Sequence, residues 1–255
     1  MKTVGFRAFL IGFAALCIPT AVAQTPEEVR HAPDGGTRVM IVSIFIPPLA
    51  NAPFTATVNT EWTRHLENGT TVTTKNHRAI ARDSAGRIFE ERRYLAPDGD
   101  QHQTSIRQLE FSDPSSHELY ICDPAGHVCE LRDYLRSRSM VPAAAGESDT
   151  RANGVKREDL GQDVIGGLDT IGTRETTTIA PSTIGNDRPL AIVKEFWYSP
   201  QLGVNLVVNR VDPRSGTENF RVTDINLGEP DPKLFERPSD FSVVDARKPT
   251  VPSSK

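Results

Sequence analysis

FTATVNTEWTRHLENGTTVTTKNHRAIAR, residues 54–82, is the stretch whose reading decides the fold. Ala56, Val58, Trp62 and Leu66 fall on one face of an extended chain, and Thr57, Asn59, Glu61 and His65 on the other. That is the period of a strand. Asn68-Gly69 then supplies the residue pair that a type I′ hairpin turn requires. Residues 70–82 return as a threonine-rich strand that is polar on both sides. A long antiparallel hairpin therefore opens the folded part of the chain.

The same grammar continues on the C-terminal side. Asp83-Ser84-Ala85-Gly86 turns the chain into a strand over 87–95, and 104–111 continues the meander. Asp113-Pro114-Ser115 turns again, into a tight hairpin of 117–122 and 127–133 around Asp123-Pro124-Ala125-Gly126. Residues 134–156, rich in Ala, Gly, Ser and charge, break the pattern and read as a long mobile loop. Strands resume at 157–164, 168–179, 190–199, 204–212 and 217–227. Gly228 to Phe241 holds Pro230, Pro232 and Pro238, so it is expected to be irregular and pinned by Phe235 and Phe241. Residues 246–255 read as a frayed tail. No strong amphipathic helix intervenes. The expectation is an all-β antiparallel meander of about 11–12 strands, a curved half-barrel or sandwich forming a single domain over residues 24–245.

On the N-terminal side, Val39 to Ile46 is a short apolar run rich in β-branched residues. It reads as a buried strand stopped by Pro47-Pro48, behind a loose polar segment at 24–38. Residues 1–23 read as a signal peptide. Lys2 and Arg7 supply the charge, Ala8 to Ile18 the apolar stretch, and Ala21-Val22-Ala23 the cleavage site. The apolar run is too short to anchor in a bilayer. Leu16 stands before Cys17 where a lipid-attachment signal needs a small residue. No later run is long enough to span a membrane. The mature chain is expected to be soluble and periplasmic or secreted.

The chain has 255 residues, 37% of them hydrophobic and 24% charged, which excludes wholesale disorder. Its net charge of -4 argues against an extended nucleic-acid footprint. Loss of the signal removes Cys17 and leaves Cys122 and Cys129. Centring the turn between Ala125 and Gly126 sets those two directly opposite, so a cross-strand disulfide is expected. A zinc site from His117, Cys122, His127 and Cys129 is the weighed alternative; the ligand spacing is unfamiliar and the compartment oxidising. We expect no metal and no cofactor.

No catalytic motif emerges. The histidines form no H-E-x-x-H pair, and G-x-S-x-G is absent. Glu90 and Glu91 are adjacent on a strand, point to opposite faces, and cannot flank one glycosidic bond. Arg78, Arg82, Arg87, Arg92 and Arg93, balanced by Asp83, Glu90 and Glu91, read as a solvated charged face. Asn68-Gly69-Thr70 matches a glycosylation acceptor, but the hairpin explains it without a sugar.

The hairpin 190–211 is different in kind. With Gln201-Leu202 at its tip, Trp197 faces Leu206 and Phe196 faces Val207. Both faces are apolar there, so both need cover.

Several segments together resemble a group of uncharacterised exported bacterial proteins. They are Asn51 to Tyr94 (with Glu61-Trp62 and Lys75-Asn76-His77-Arg78), Thr170 to Thr178, Ile184-Gly185-Asn186-Asp187, Trp197-Tyr198-Ser199-Pro200 and Leu227-Gly228-Glu229-Pro230-Asp231. No activity comes with that resemblance. At the level of fold the chain resembles lipoprotein carriers of the LolA type and the related sensor RseB. That likeness rests on the export signal, long early hairpins, mid-chain interruption and tryptophan hairpin. It implies a half-barrel that cradles acyl chains, although helices to plug the concave face are missing here.

Two functions follow as expectations. The first is a non-enzymatic binding protein holding an apolar ligand, a lipid or a lipoprotein acyl chain, on a concave sheet. Its binding residues would be Trp62, Phe196, Trp197, Tyr198, Leu206 and Val207; the competing reading makes the same residues plain core. The second is an interaction or scaffold module that presents an edge strand or the 134–156 loop to an envelope protein partner. A hydrolase with dispersed residues has no motif behind it.

Overall fold

The structure is a computed structural model, and it describes residues 44–134 and 155–247. The expected signal peptide, most of the 134–156 loop, the 24–43 segment and the last residues of the tail lie outside that range.

Twelve strands make one sheet. The first six are β1 (Phe54–His65), β2 (Thr71–Arg82), β3 (Ile88–Arg93), β4 (Ile106–Asp113), β5 (Glu118–Asp123) and β6 (Val128–Asp133). The rest are β7 (Val155–Ile165), β8 (Leu168–Ile179), β9 (Leu190–Ser199), β10 (Val204–Asp212), β11 (Gly216–Asn226) and β12 (Ser242–Asp245). The spatial order is β12-β6-β5-β4-β3-β2-β1-β11-β10-β9-β8-β7. Two meanders thus meet where β1 pairs antiparallel with β11. The sheet stays open, with β7 and β12 as its edges.

The strands of the opening hairpin pair as their sequence dictates. Every β1 residue from Phe54 to His65 pairs with β2, from Phe54 opposite Arg82 to His65 opposite Thr71. Gly69 takes a φ of 82°, but Asn68 lacks the positive φ that the expected type I′ turn requires; the Gly69 amide donates to Leu66 O, so the connection is a turn over Leu66–Gly69 closed by the left-handed glycine. At the β10–β11 turn Gly216 has a φ of 98°, and a Cβ there would run into the Thr63 carbonyl of β1. Glycine is the residue that permits both conditions.

The core divides between the two faces. On one, Phe54, Ala56 and Val58 of β1 pack with Ile80, Ile88, Leu206, Val208, Phe220 and Val222. Ile44, Ile46 and Leu202 join this cluster and close one end of it. On the other face a smaller cluster gathers Ala81, Phe89, Phe111, Cys122 and Cys129. The irregular segment holding the 3-10 turn Pro232–Phe235 covers it, through the expected Phe235 and Phe241.

Four further expectations need correction. Ile44 and Ile46 are buried, but residues 44–46 form no strand; they pack as a cover, and 39–43 lies outside the described residues. The strand begun at 157 starts at Val155. The chain adds β12, which pairs parallel to β6 at the otherwise antiparallel sheet's edge. Finally, the tip of the 190–211 hairpin lies where expected, with Ser199 opposite Val204, but a β-bulge between Asn205 and Val207 slips the register by one. Trp197 therefore opposes Val207, and Phe196 opposes Val208. One extra bulge residue exchanges the cross-strand partners beyond it.

Candidate functional site

Strand register assembles a continuous row of side chains across the sheet. Phe196 of β9 stands opposite Val208 of β10, Val208 opposite Phe220 of β11, Phe220 opposite Thr60 of β1, and Thr60 opposite Asn76 of β2. Directly opposed residues share a face. The row is apolar from β9 to β11 and polar from β1 onward. On the Phe54 side the next row runs Val222, Val58, Arg78 and turns polar at β2; on the other side the row runs Lys194, Arg210, Glu218, Trp62, Thr74 and is polar except for the tryptophan.

The polar half is a buried charge network. Arg78, Glu90 and Arg92 are only 4%, 8% and 7% exposed. Arg78 Nη1 and Arg92 Nη2 meet the same oxygen, Glu90 Oε2, at 3.1 and 3.0 Å. Arg92 also grips Glu110 bidentately, through Nε at 2.9 Å and Nη2 at 3.0 Å, and Gln108 donates to that carboxylate as well. Burial pushes the Glu90 carboxyl above its usual range, and the two guanidinium charges pull it back. Burial likewise lowers the Arg78 guanidinium, while for Arg92 the carboxylates Glu90 and Glu110 outweigh burial and raise it. Reading these arginines and Glu90 as a solvated face is therefore wrong. Strand alternation puts them on the core side, and charge pairing lets them stay there. Glu91 does point the other way, where it accepts from Arg93 and from the Ala79 amide.

Arg82 is also fully buried, yet it bonds only uncharged carbonyls. Nε and Nη2 donate to Ala52 O at 2.9 and 2.7 Å, Nη1 to Pro47 O at 2.8 Å, and Nη2 to Leu202 O at 2.8 Å. Its guanidinium lies over the Phe54 ring. Desolvation, opposed only by Tyr198, pushes its pKa down to about 10. This one side chain ties the 44–52 cover and the β9–β10 turn to β2.

The sequence-predicted binding residues do not form one patch. Phe196 and Tyr198 lie on the core face with Trp62, and Leu206 is fully buried in the core cluster. Trp62 Nε1 donates to Ser215 O at 2.8 Å, and Arg64 stacks on its ring. Trp197 and Val207 occupy the opposite face, where Trp197 packs so closely over Gly172 that a Cβ there would fall 2.8 Å from the ring. Sequence reasoning missed Arg78, Glu90, Arg92 and Glu110. The available signal was their shared parity with Ile80, once the β2–β3 register is drawn.

Cys122 and Cys129 are directly opposite and joined by a disulfide, as expected. Both sulfurs are thereby taken, which removes the zinc alternative. No helix among the described residues is long and apolar enough to cross a membrane.

No family model and no curated protein matches the chain. Solved structures similar to it include MucB in the Pseudomonas aeruginosa MucA/MucB complex, with 14% identity over 76% of this chain and a TM-score of 0.43. The chain spans 58% of that MucB chain. A DUF1329 family protein from Desulfovibrio piger matches 73% of this chain at 9% identity, with 90% of its own length covered and a TM-score of 0.31. The Mycobacterium tuberculosis lipoprotein LppX matches 71% at 9% identity, with 90% of its length covered and a TM-score of 0.32.

Proposed function

We propose that the chain is an exported, non-catalytic binding protein that holds an amphiphile with an acyl chain across one face of its sheet. One observation carries this reading: the row from Phe196 through Val208, Phe220 and Thr60 to Asn76 passes from apolar to polar across five neighbouring strands. Val208 and Phe220 are already packed in the core, so an acyl chain gains apolar burial at the half-buried Phe196 and Tyr198 of β9, while its polar end points toward β1 and β2. The end near Phe54 is already filled by Ile44, Ile46 and Leu202, so the ligand sits toward Thr60 and Trp62. Of the sequence-predicted residues, Trp62, Phe196 and Tyr198 face it, Leu206 supports it from the core, and Trp197 and Val207 lie outside it. A lipid or the acyl part of a lipoprotein fits, and an envelope location follows from the signal and the disulfide.

Mass spectrometry of an organic extract from protein purified out of the cell envelope tests this reading. One acyl amphiphile per chain is the expected result. Extracts free of any acyl compound contradict it.

A second reading, an interaction module, draws on β12. Val243 and Val244 are 40% and 55% exposed at an open sheet edge, where an extended partner segment could add a strand. Slowed amide exchange in 242–245 with an envelope extract present would favour it; unchanged exchange would count against it.

A further inference from the structure

We infer that the head group of the bound amphiphile is an oxyanion, held at Lys194 beside Arg210. The inference rests on the amphiphile reading and gives its ligand a chemical class. One cation on this face lacks a partner. Among the described residues, every other Lys or Arg that is buried or half-buried meets a carboxylate, a carbonyl or an aromatic ring. Half-buried Lys194 meets none of these.

Lys194 adjoins the apolar part of the site. It stands two residues from Phe196 on β9, so both project from the same face, and Tyr198 continues that line. All three are half-buried, so each keeps surface that a ligand can reach. Register places Glu175 of β8 on one side of Lys194 and Arg210 of β10 on the other. Along β9 the strip therefore changes from apolar to cationic. The row that starts at Lys194 leads through Arg210 and Glu218 to Trp62 of β1.

The charges select the kind of occupant. Glu175 is taken by Arg157 at 2.9 Å, and Glu218 by Arg210 at 2.9 Å. Asp212 is held by Arg214 at 2.7 Å and by Arg210 at 2.9 Å. Each of these carboxylates has a guanidinium of its own, and the Lys194 ammonium is the positive charge left over. A cationic head would be repelled by Lys194 and Arg210. A neutral head would gain no charge pairing. A carboxylate or phosphate oxygen accepts from the ammonium, in a charge-assisted bond that partial burial beside Phe196 strengthens. No covalent bond is made or broken.

The test is displacement of a neutral fluorescent acyl probe from the full mature protein by laurate, dodecanol and dodecyltrimethylammonium. Laurate is expected to displace the probe at about tenfold lower concentration than the other two, the effect of one hydrogen bond to a charged donor. Acetate at the same concentrations should leave the probe in place. Lys194→Gln removes an ammonium that no folded contact uses, so the urea midpoint should hold while the laurate advantage disappears. Arg221→Gln, at an exposed position opposite Val207 on the other face, should keep the advantage in full. Displacement by dodecanol or the cation at the laurate concentration overturns the inference while leaving the amphiphile reading intact. So does an advantage that Lys194→Gln spares, because the head then lies elsewhere, or one that Arg221→Gln removes equally, because overall charge then explains it. Displacement by acetate overturns it as well, since the site then takes a free anion. A lowered urea midpoint in Lys194→Gln also overturns it, by giving the lysine a role in the fold. Failure of the probe to bind at all overturns the amphiphile reading itself.

Discussion

Arg82 and Asp212 show how single residues hold this sheet. Arg82 satisfies three carbonyls from two separate segments. Arg82→Met would strand those carbonyls in the core and should destabilise the fold by roughly 3–5 kcal/mol. Arg82→Lys should recover little, since a point charge cannot match the guanidinium's fork. Urea midpoints of the two variants check this. Asp212 accepts from Arg214 and Arg210, chiefly through the Arg214 side chain, and its carboxyl is held down to about 2. Its folded pKa lies below the unfolded value of 3.8, so the stabilisation is fully present above about pH 4 and fades as pH falls through 2. Asp212→Asn should therefore cost about 2 kcal/mol at pH 7, with the gap closing near pH 2. Parallel denaturation at the two pH values reads it directly. Neither role is legible in sequence, because composition reports that arginines are many and not that Arg82 lands opposite Phe54.

At the scale of elements, the Cys122–Cys129 bridge staples β5 to β6, and β12 is added beside Cys129, with Val243 opposite it. The bridge closes a short loop, a sequence separation of 7, so removing it as Cys122→Ser with Cys129→Ser should cost about 2 kcal/mol. The loss should appear first at β5, β6 and β12, as faster amide exchange there than in β1 and β2. Uniform acceleration across the sheet would refute that localisation. The strand pairing of this hairpin was legible in the sequence, and so was that of β1 with β2, because turn residues and period-two alternation are local signals; neither the turn type nor the burial of β2 was legible. The β12 strand and the bulge beside Leu206 were not. A four-residue parallel edge strand has no turn to announce it, and a bulge is one extra residue whose position depends on packing.

On the scale of the whole molecule, the sheet separates two tasks. One face of the β4–β6 half is sealed by the segment around Phe235 and Phe241. The other face carries the row from Phe196 to Asn76, apolar on β9–β11 and charged but paired on β2–β4. Apolar weight in the C-terminal strands was legible in the sequence. The buried charged half was not, since charged residues in a polar-looking strand read as solvated until the register is known. Phe196 and Trp197 are chain neighbours on opposite faces, so together they decide which face works. We predict that Phe196→Ala weakens binding of a fluorescent acyl probe about tenfold, the effect of losing a large apolar contact, while Trp197→Ala leaves it within about twofold. If Trp197→Ala abolishes binding and Phe196→Ala spares it, the ligand is held on the other face and the account is wrong.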